Sequence, residues 1–324
     1  MIKTSRVFDE SPGRSCPLHY RYSPGVFARR ADAGLSGLET LYVAGGLYGN
    51  EHALEALLRL FERERGHAAL VFNGDFHWFD TDPRVFERVQ RAVLAHVAIR
   101  GNVETELAPK MADEQAGCGC AYPAWVDGRT VARSNRILSR LRASAPAPLR
   151  AGLAGLPMHL RAEVGEMQVA IVHGDATSLA GWGFSQEEMR ARDAQDRIAE
   201  WFEAARIDAF ACTHTCLPIY QRFATGDGAE RWVLNNGAAG MPNFRGDLAG
   251  LVTRMSVRPF EGHGRRFGAR RGEIHMDAIA IETNADAVMR AFLAQWPEGS
   301  DAHASYHARL AHGPDYALSQ AMRS

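Results

Sequence analysis

Four short polar segments carry the residues with chemistry. Asn73-Gly74-Asp75, Gly101-Asn102, His173-Gly174-Asp175 and Thr213-His214-Thr215-Cys216 each follow directly on an apolar run, ending at Phe72, Arg100, Val172 and Cys212 respectively. Singly, a Gly-Asp pair is a turn and a histidine at a strand end is a satisfied polar group. In series, an aspartate, an asparagine and two histidines offer the mixed oxygen and nitrogen donors that hold a divalent cation. The five cysteines are Cys16, the pair Cys118/Cys120 and the pair Cys212/Cys216. An odd number in a chain this long is not a disulfide framework, so the pairs are either buried small hydrophobes or metal or redox groups.

Bringing those segments to one place requires strands whose carboxyl ends share a rim, which is where ligands bind in α/β sheets. The pattern supplies them. Residues 39–44 read as a strand ending in Gly45-Gly46, and Leu54, Leu57, Leu58 and Phe61 fall at i, i+3, i+4, i+7 of a helix. Strands over 68–72 and 96–100 enclose a helix over 83–95, which makes parallel βαβ units. A helix over 129–144, a strand over 167–172, a long helix over 186–204 and a strand over 208–212 follow. From Leu217 the chain reads as antiparallel: 217–223 and 231–234 flank Gly226-Asp227-Gly228, a hairpin signal, and strands follow at 251–257 and 274–282. Parallel then antiparallel strands predict an α/β fold of two mixed β-sheets packed together under helices. The domain runs over 38–283, preceded by an extension (1–37) and followed by a helical appendage (284–324) with a helix at 285–295 and a polar tail. Arg265-Arg266 and Arg270-Arg271 read as a solvated hairpin loop, and His303, His307 and His312 as a polar helix face.

Composition removes several classes. Of 324 residues, 46% are hydrophobic, and 31 Gly with 14 Pro fall well short of a low-complexity chain. Lys plus Arg (37) and Asp plus Glu (38) nearly cancel, so net charge provides no field for nucleic acid or an anionic membrane. No apolar run reaches the roughly 18 residues that cross a bilayer, and the first residues lack a signal peptide's apolar stretch. A cytoplasmic protein is the expectation, with a homo-oligomer left open.

The order of the four segments resembles the calcineurin-like metallophosphoesterase superfamily, whose motifs run Asp-x-His, Gly-Asp, Gly-Asn-His-Asp/Glu, His and Gly-His-x-His. The likeness covers residues 38–283 and is closest to the small bacterial phosphodiesterase branch. There the first motif continues as Gly49-Asn50-Glu51-His52-Ala53-Leu54 does here, the last is followed by a proline as in Thr215-Cys216-Leu217-Pro218, and a later Asn-x-Gly segment matches Asn235-Asn236-Gly237-Ala238. The resemblance implies a four-layer sandwich, with two mixed β-sheets face to face and flanked by helices. It also implies hydrolysis of a phosphomonoester or phosphodiester by metal-activated water, on a phosphorylated small molecule or nucleotide.

The departures are one-sided. The aspartate and histidine of the first motif correspond to Gly46 and Tyr48, and the second histidine of the last motif to Cys216. Of the two metal positions in the superfamily, the first therefore keeps only the shared Asp75 and a thiol. The second keeps Asp75, Asn102, His173 and His214. This implies one divalent ion per chain (Mn, Fe, Ni or Zn), with Cys216 as a further candidate ligand. The leaving-group histidine of many relatives is Val103, followed by Glu104. Tyr48, His52, His77, Arg100 and Glu104 are the nearby side chains that could orient a nucleophile, and His77 and Arg100 could hold a phosphate oxygen. The alternative is a catalytically silent binding or scaffold protein that kept the fold.

Overall fold

The computed structural model describes residues 12–109, 111–112 and 115–323. The start of the expected N-terminal extension, three positions of the 103–128 loop and the last residue of the tail lie outside these. The strands are β1 (Thr40–Ala44), β2 (Ala68–Asn73), β3 (Val97–Ile99), β4 (His159–Val164), β5 (Met167–Val172), β6 (Ala209–Cys212), β7 (Ile219–Ala224), β8 (Glu230–Asn235), β9 (Gly250–Ser256), β10 (Arg265–Arg271), β11 (Ile274–Ile281) and β12 (Met322–Arg323). The helices are α1 (Glu51–Phe61), α2 (Pro83–Leu94), α3 (Asn102–Leu107), α4 (Gly128–Ser144), α5 (Ala147–Leu153), α6 (Ala194–Ala205), α7 (Ala285–Gln295) and α8 (Asp301–His312).

Two six-stranded mixed sheets result, ordered β10-β11-β9-β1-β2-β3 and β12-β7-β8-β6-β5-β4. In the first, β1, β2 and β3 are parallel while β9, β11 and β10 run antiparallel beside them. In the second, β5, β6 and β8 are parallel. Side chains alternate across each strand, so Leu41 and Val43 of β1 face the second sheet while Tyr42 and Ala44 face the helices outside. Leu41, Val43, Val71 and Ile99 pack between the sheets against Val169, Ile171, Ala209 and Leu234. On the far side, Ala170 and Phe210 pack against Ile198 and Phe202 of α6. Helix, sheet, sheet and helix make the expected four layers.

Helix ends follow local chemistry. The Asn50 side chain accepts from the Ala53 amide at 3.1 Å and starts α1, while Asp82 accepts from Arg84 and puts Pro83 at the first helical position. The helix expected over 186–204 is broken. Ser185 Oγ accepts from the Glu188 amide, a single 3₁₀ turn spans Glu188–Arg190, and Ala191 turns extended (φ −61°, ψ 150°) before α6 starts. The arginines expected in a solvated loop stand on β10 instead, around the Gly272 turn. Each finds a carboxylate: Arg265 meets Asp277 at 2.5 Å, Arg266 meets Asp247 at 2.6 Å and Arg271 meets Asp208 at 2.7 Å, and Arg270 pairs with Glu273 at 3.6 Å. The polar tail holds α8 and then β12, which adds a parallel edge strand to β7. Among the described residues, no helix is long and apolar enough to cross a membrane.

Candidate metal centre

Asp75 and Asn102 leave the first sheet, after β2 and β3; His173 and His214 leave the second, after β5 and β6. The turn after β2 is tight. Gly74 (φ +93°) lies so close to the next strand end that a Cβ there would stand 2.5 Å from the Gly101 nitrogen. Asp75 follows in left-handed backbone (φ +53°), which a non-glycine residue holds only when its surroundings over-determine it. Here Glu104 does so. One carboxylate oxygen accepts from the Asp75 and Gly101 amides (2.8 Å each) and the other from Phe76 (3.1 Å) and His77 (3.2 Å).

The four candidate ligands are then aimed one by one. Asp75 Oδ1 accepts from the Val103 amide at 3.1 Å, leaving Oδ2 to point inward. Asn102 Nδ2 donates to the Cys118 carbonyl at 2.9 Å, which turns Oδ1 inward. His173 Nδ1 lies 2.9 Å from the Asn73 carbonyl, and His214 Nε2 lies 3.1 Å from the Cys120 carbonyl. A carbonyl only accepts, so these nitrogens carry the protons, and the inward ones, His173 Nε2 and His214 Nδ1, present lone pairs. From His173 Nε2 the other three inward atoms are at 3.1 Å (Asn102 Oδ1), 3.1 Å (His214 Nδ1) and 3.4 Å (Asp75 Oδ2). Tetrahedral donors at 2.0–2.2 Å from one cation would be about 3.3–3.6 Å apart. The Asp75, His173 and His214 ligand atoms all lie within 4.8 Å of one another.

Two nitrogen lone pairs facing each other beside a carboxylate favour a positive charge among them, either a proton on His173 Nε2 or a bound cation. Burial lowers the His173 pKa, but the Asp75 carboxylate outweighs it and the net shift is upward. Burial and the neighbouring His173 push His214 down to about 3. Burial also opposes the charged form of Asp75, yet the His173 charge and hydrogen bond hold its pKa below the ordinary value. The donor set fits a small divalent cation, with the outer hydrogen bonds that fix ligand tautomers already made.

Beside this group the side chains of Tyr48 and Cys216 meet. Tyr48 and Cys216, both in left-handed backbone (φ +56° and +60°), bring the phenol oxygen within 2.8 Å of the thiol sulfur. A Cβ on Gly46 would stand 2.9 Å from the Tyr48 hydroxyl, so the ring occupies the space of a side chain at 46. Burial raises the pKa of both Tyr48 and Cys216, keeping each neutral. Cys216 stays outside the Asp75, His173 and His214 group, as do Cys118 and Cys120. From α8, Arg309 donates to the Cys216 carbonyl at 2.8 Å, and Tyr306 packs edge-on to Phe79.

The other sequence candidates are occupied elsewhere. His77 is fully buried, stacked on Phe86 at 3.6 Å, with Nδ1 2.5 Å from Asp80 and Nε2 3.3 Å from Gln90. The Arg100 guanidinium donates to the Leu156 carbonyl. Glu104 has both oxygens filled by amides, and burial followed by the Asp75 charge raises its pKa to about 6. All three are buried, with hydrogen bonds to protein partners. His52 borders a cleft of about 70 Å³ with Tyr48, Phe79 and Leu310. Sequence reasoning missed the Cys118 and Cys120 carbonyls and Trp182, whose Nε1 donates to the Cys120 carbonyl at 2.8 Å. Main-chain acceptors leave no residue-type signal, although the proximity of 118–120 to the rim follows from chain order.

No family model and no curated protein matches the chain. Solved structures do. A metallophosphoesterase from Sphaerobacter thermophilus superposes with a TM-score of 0.52 at 17% identity, over 85% of this chain and 100% of its own. A hypothetical protein from Pyrococcus horikoshii OT3 superposes with a TM-score of 0.54, also at 17% identity, over 85% and 99%. At this identity the likeness establishes the fold.

Proposed function

The chain has the metallophosphoesterase sandwich fold, and we propose that it is a metal-dependent phosphoesterase working with one divalent cation. The reading rests on one observation above all: the four inward donors converge while the outward nitrogen of each histidine faces a carbonyl, an arrangement suited to a cation at its centre. Asp75, Asn102, His173 and His214 would hold the ion, and Mn, Fe, Ni or Zn suits this nitrogen and oxygen set. When bound, such an ion supplies Lewis acidity toward a phosphoryl oxygen and lowers the pKa of water. The chain's own contribution is rigidity. Glu104 fixes the Asp75 turn, and the carbonyls of Asn73, Cys118 and Cys120 fix the remaining ligands. The substrate class is a phosphomonoester or phosphodiester on a small molecule or nucleotide. Near-zero net charge gives no support to a nucleic-acid partner.

A specific observation also supports a second reading. Tyr48 and Cys216 fill the neighbouring position, and all four candidate ligands are at most 6% exposed, which suits a cation-holding but catalytically silent binding module. Hydrolysis of p-nitrophenyl phosphate and bis-p-nitrophenyl phosphate with Mn, Ni, Fe, Zn or Mg separates the two. Turnover that disappears in Asp75→Ala supports the enzyme. Cation binding without turnover of either ester supports the silent module.

A further inference from the structure

We propose that the Cys118-Gly119-Cys120 turn is a positioning element for the cation, acting through two peptide carbonyls and not through its thiols. The inference rests on the single-cation reading above. Two of the four ligands, one from each sheet, take their orientation from this turn. An asparagine amide can present either its oxygen or its nitrogen, and the bond from Asn102 Nδ2 to the Cys118 carbonyl decides for the oxygen. A neutral histidine can present either ring nitrogen, and the bond from His214 Nε2 to the Cys120 carbonyl decides for Nδ1. Trp182 Nε1 donates to that same carbonyl at 2.8 Å and holds it from a second direction.

The turn is built so that both carbonyls point at the ligands. Gly119 takes φ +70°, and a Cβ there would meet the Tyr20 hydroxyl at 2.4 Å and Asn102 Cβ and Glu106 Cγ at 3.0 Å. Tyr20 cannot yield easily, since it is buried and donates to Glu106 at 2.7 Å. The Gly119 amide donates to the Ala116 carbonyl at 2.8 Å, and the Cys118 amide donates to Asn135 Oδ1 at 2.9 Å. The two sulfurs, by contrast, lie outside the group of candidate ligand atoms. Cys120 Sγ makes only long contacts, receiving one from Asn102 Nδ2 at 3.6 Å and donating to the Cys118 carbonyl at 3.7 Å. Outer partners of this kind set both the tautomer and the affinity of metal ligands.

The test uses the full chain with Zn²⁺ as the probe, titrated against a chelating dye. Gly119→Ala should bind Zn²⁺ about 10–100-fold more weakly than wild type, the range seen on loss of outer-sphere partners. The Cys118→Ala/Cys120→Ala double variant, which keeps both carbonyls, should match wild type. Ring ¹⁵N shifts of histidine-labelled wild-type protein with Zn²⁺ provide a readout independent of any variant's folding. They should show His214 protonated on Nε2 and ligated through Nδ1, and His173 the reverse. Wild-type binding with unchanged affinity in Gly119→Ala, or His214 ligated through Nε2, overturns the positioning role alone. Loss of affinity in the double cysteine variant overturns it in favour of thiol ligation. Failure of wild type to take up Zn²⁺ overturns the metal reading and this inference together.

Discussion

The Tyr48 phenol and the Cys216 thiol lie 2.8 Å apart, each on left-handed backbone, with the Tyr48 ring against the bare α-carbon of Gly46. Substitutions at these three positions are therefore coupled in space. Gly46→Asp alone should destabilise by about 2 kcal/mol or more, from overpacking and a Cβ at φ +65°. In a Tyr48→His background the loss should be smaller, because the obstructing ring is gone. Urea unfolding of the two single variants and the double variant measures that coupling. Full additivity would place residue 46 away from the ring.

Cation removal should expose the contribution of the four candidate ligands. Protein treated with EDTA should unfold at lower temperature than protein in excess Mn²⁺ or Zn²⁺, because an ion that binds only the folded state stabilises by about 2.7 kcal/mol at 100 times its Kd. Asp75→Ala should lose that difference. Differential scanning fluorimetry with and without ion is sufficient. An equal response in Asp75→Ala would exclude this centre as the source.

Glu104 should matter without touching substrate. In Glu104→Gln one oxygen becomes an NH₂ group facing two amide donors, among those of Asp75, Phe76, His77 and Gly101. Each hydrogen bond to a charged group contributes about 1.5–3 kcal/mol, so the loss should be about 3 kcal/mol or more. Chemical denaturation reads it directly. A loss below 1 kcal/mol would mean the turn around Asp75 holds itself.

The legible part of the site was the part carried by residue types. Asp75, Asn102, His173 and His214 each follow an apolar strand, so strand order alone predicts their convergence. β10 was hidden because its arginines mimic a solvated loop, and only the distant partners Asp208, Asp247 and Asp277 make a strand of them. The directions of the His77, Arg100 and Glu104 side chains were not legible, for one reason. Proximity in sequence to a ligand says nothing of the direction of a side chain, and all three turn toward backbone or buried partners.

A pH dependence away from the centre follows from Glu64. Burial opposes its charge, but the Arg254 guanidinium, at 2.7 Å, and the Tyr42 hydroxyl, at 2.6 Å, leave its pKa below the ordinary 4.5. A depressed acid stabilises the fold fully above its unfolded-state value, and that contribution fades as pH falls through the folded value. Glu64→Gln should therefore be less stable than wild type at neutral pH, with the gap closing below about pH 4.5. A gap independent of pH in urea melts would assign the effect to shape alone.

The division of the candidate ligands between the sheets, Asp75 and Asn102 from one and His173 and His214 from the other, has a consequence in time. A cation held by all four would rivet the two halves of the sandwich at their rim, and the sheets could not part until it left. The lifetime of the folded chain would then track the residence time of the ion, so that two metals of equal affinity but different exchange rates would give different half-lives against a protease.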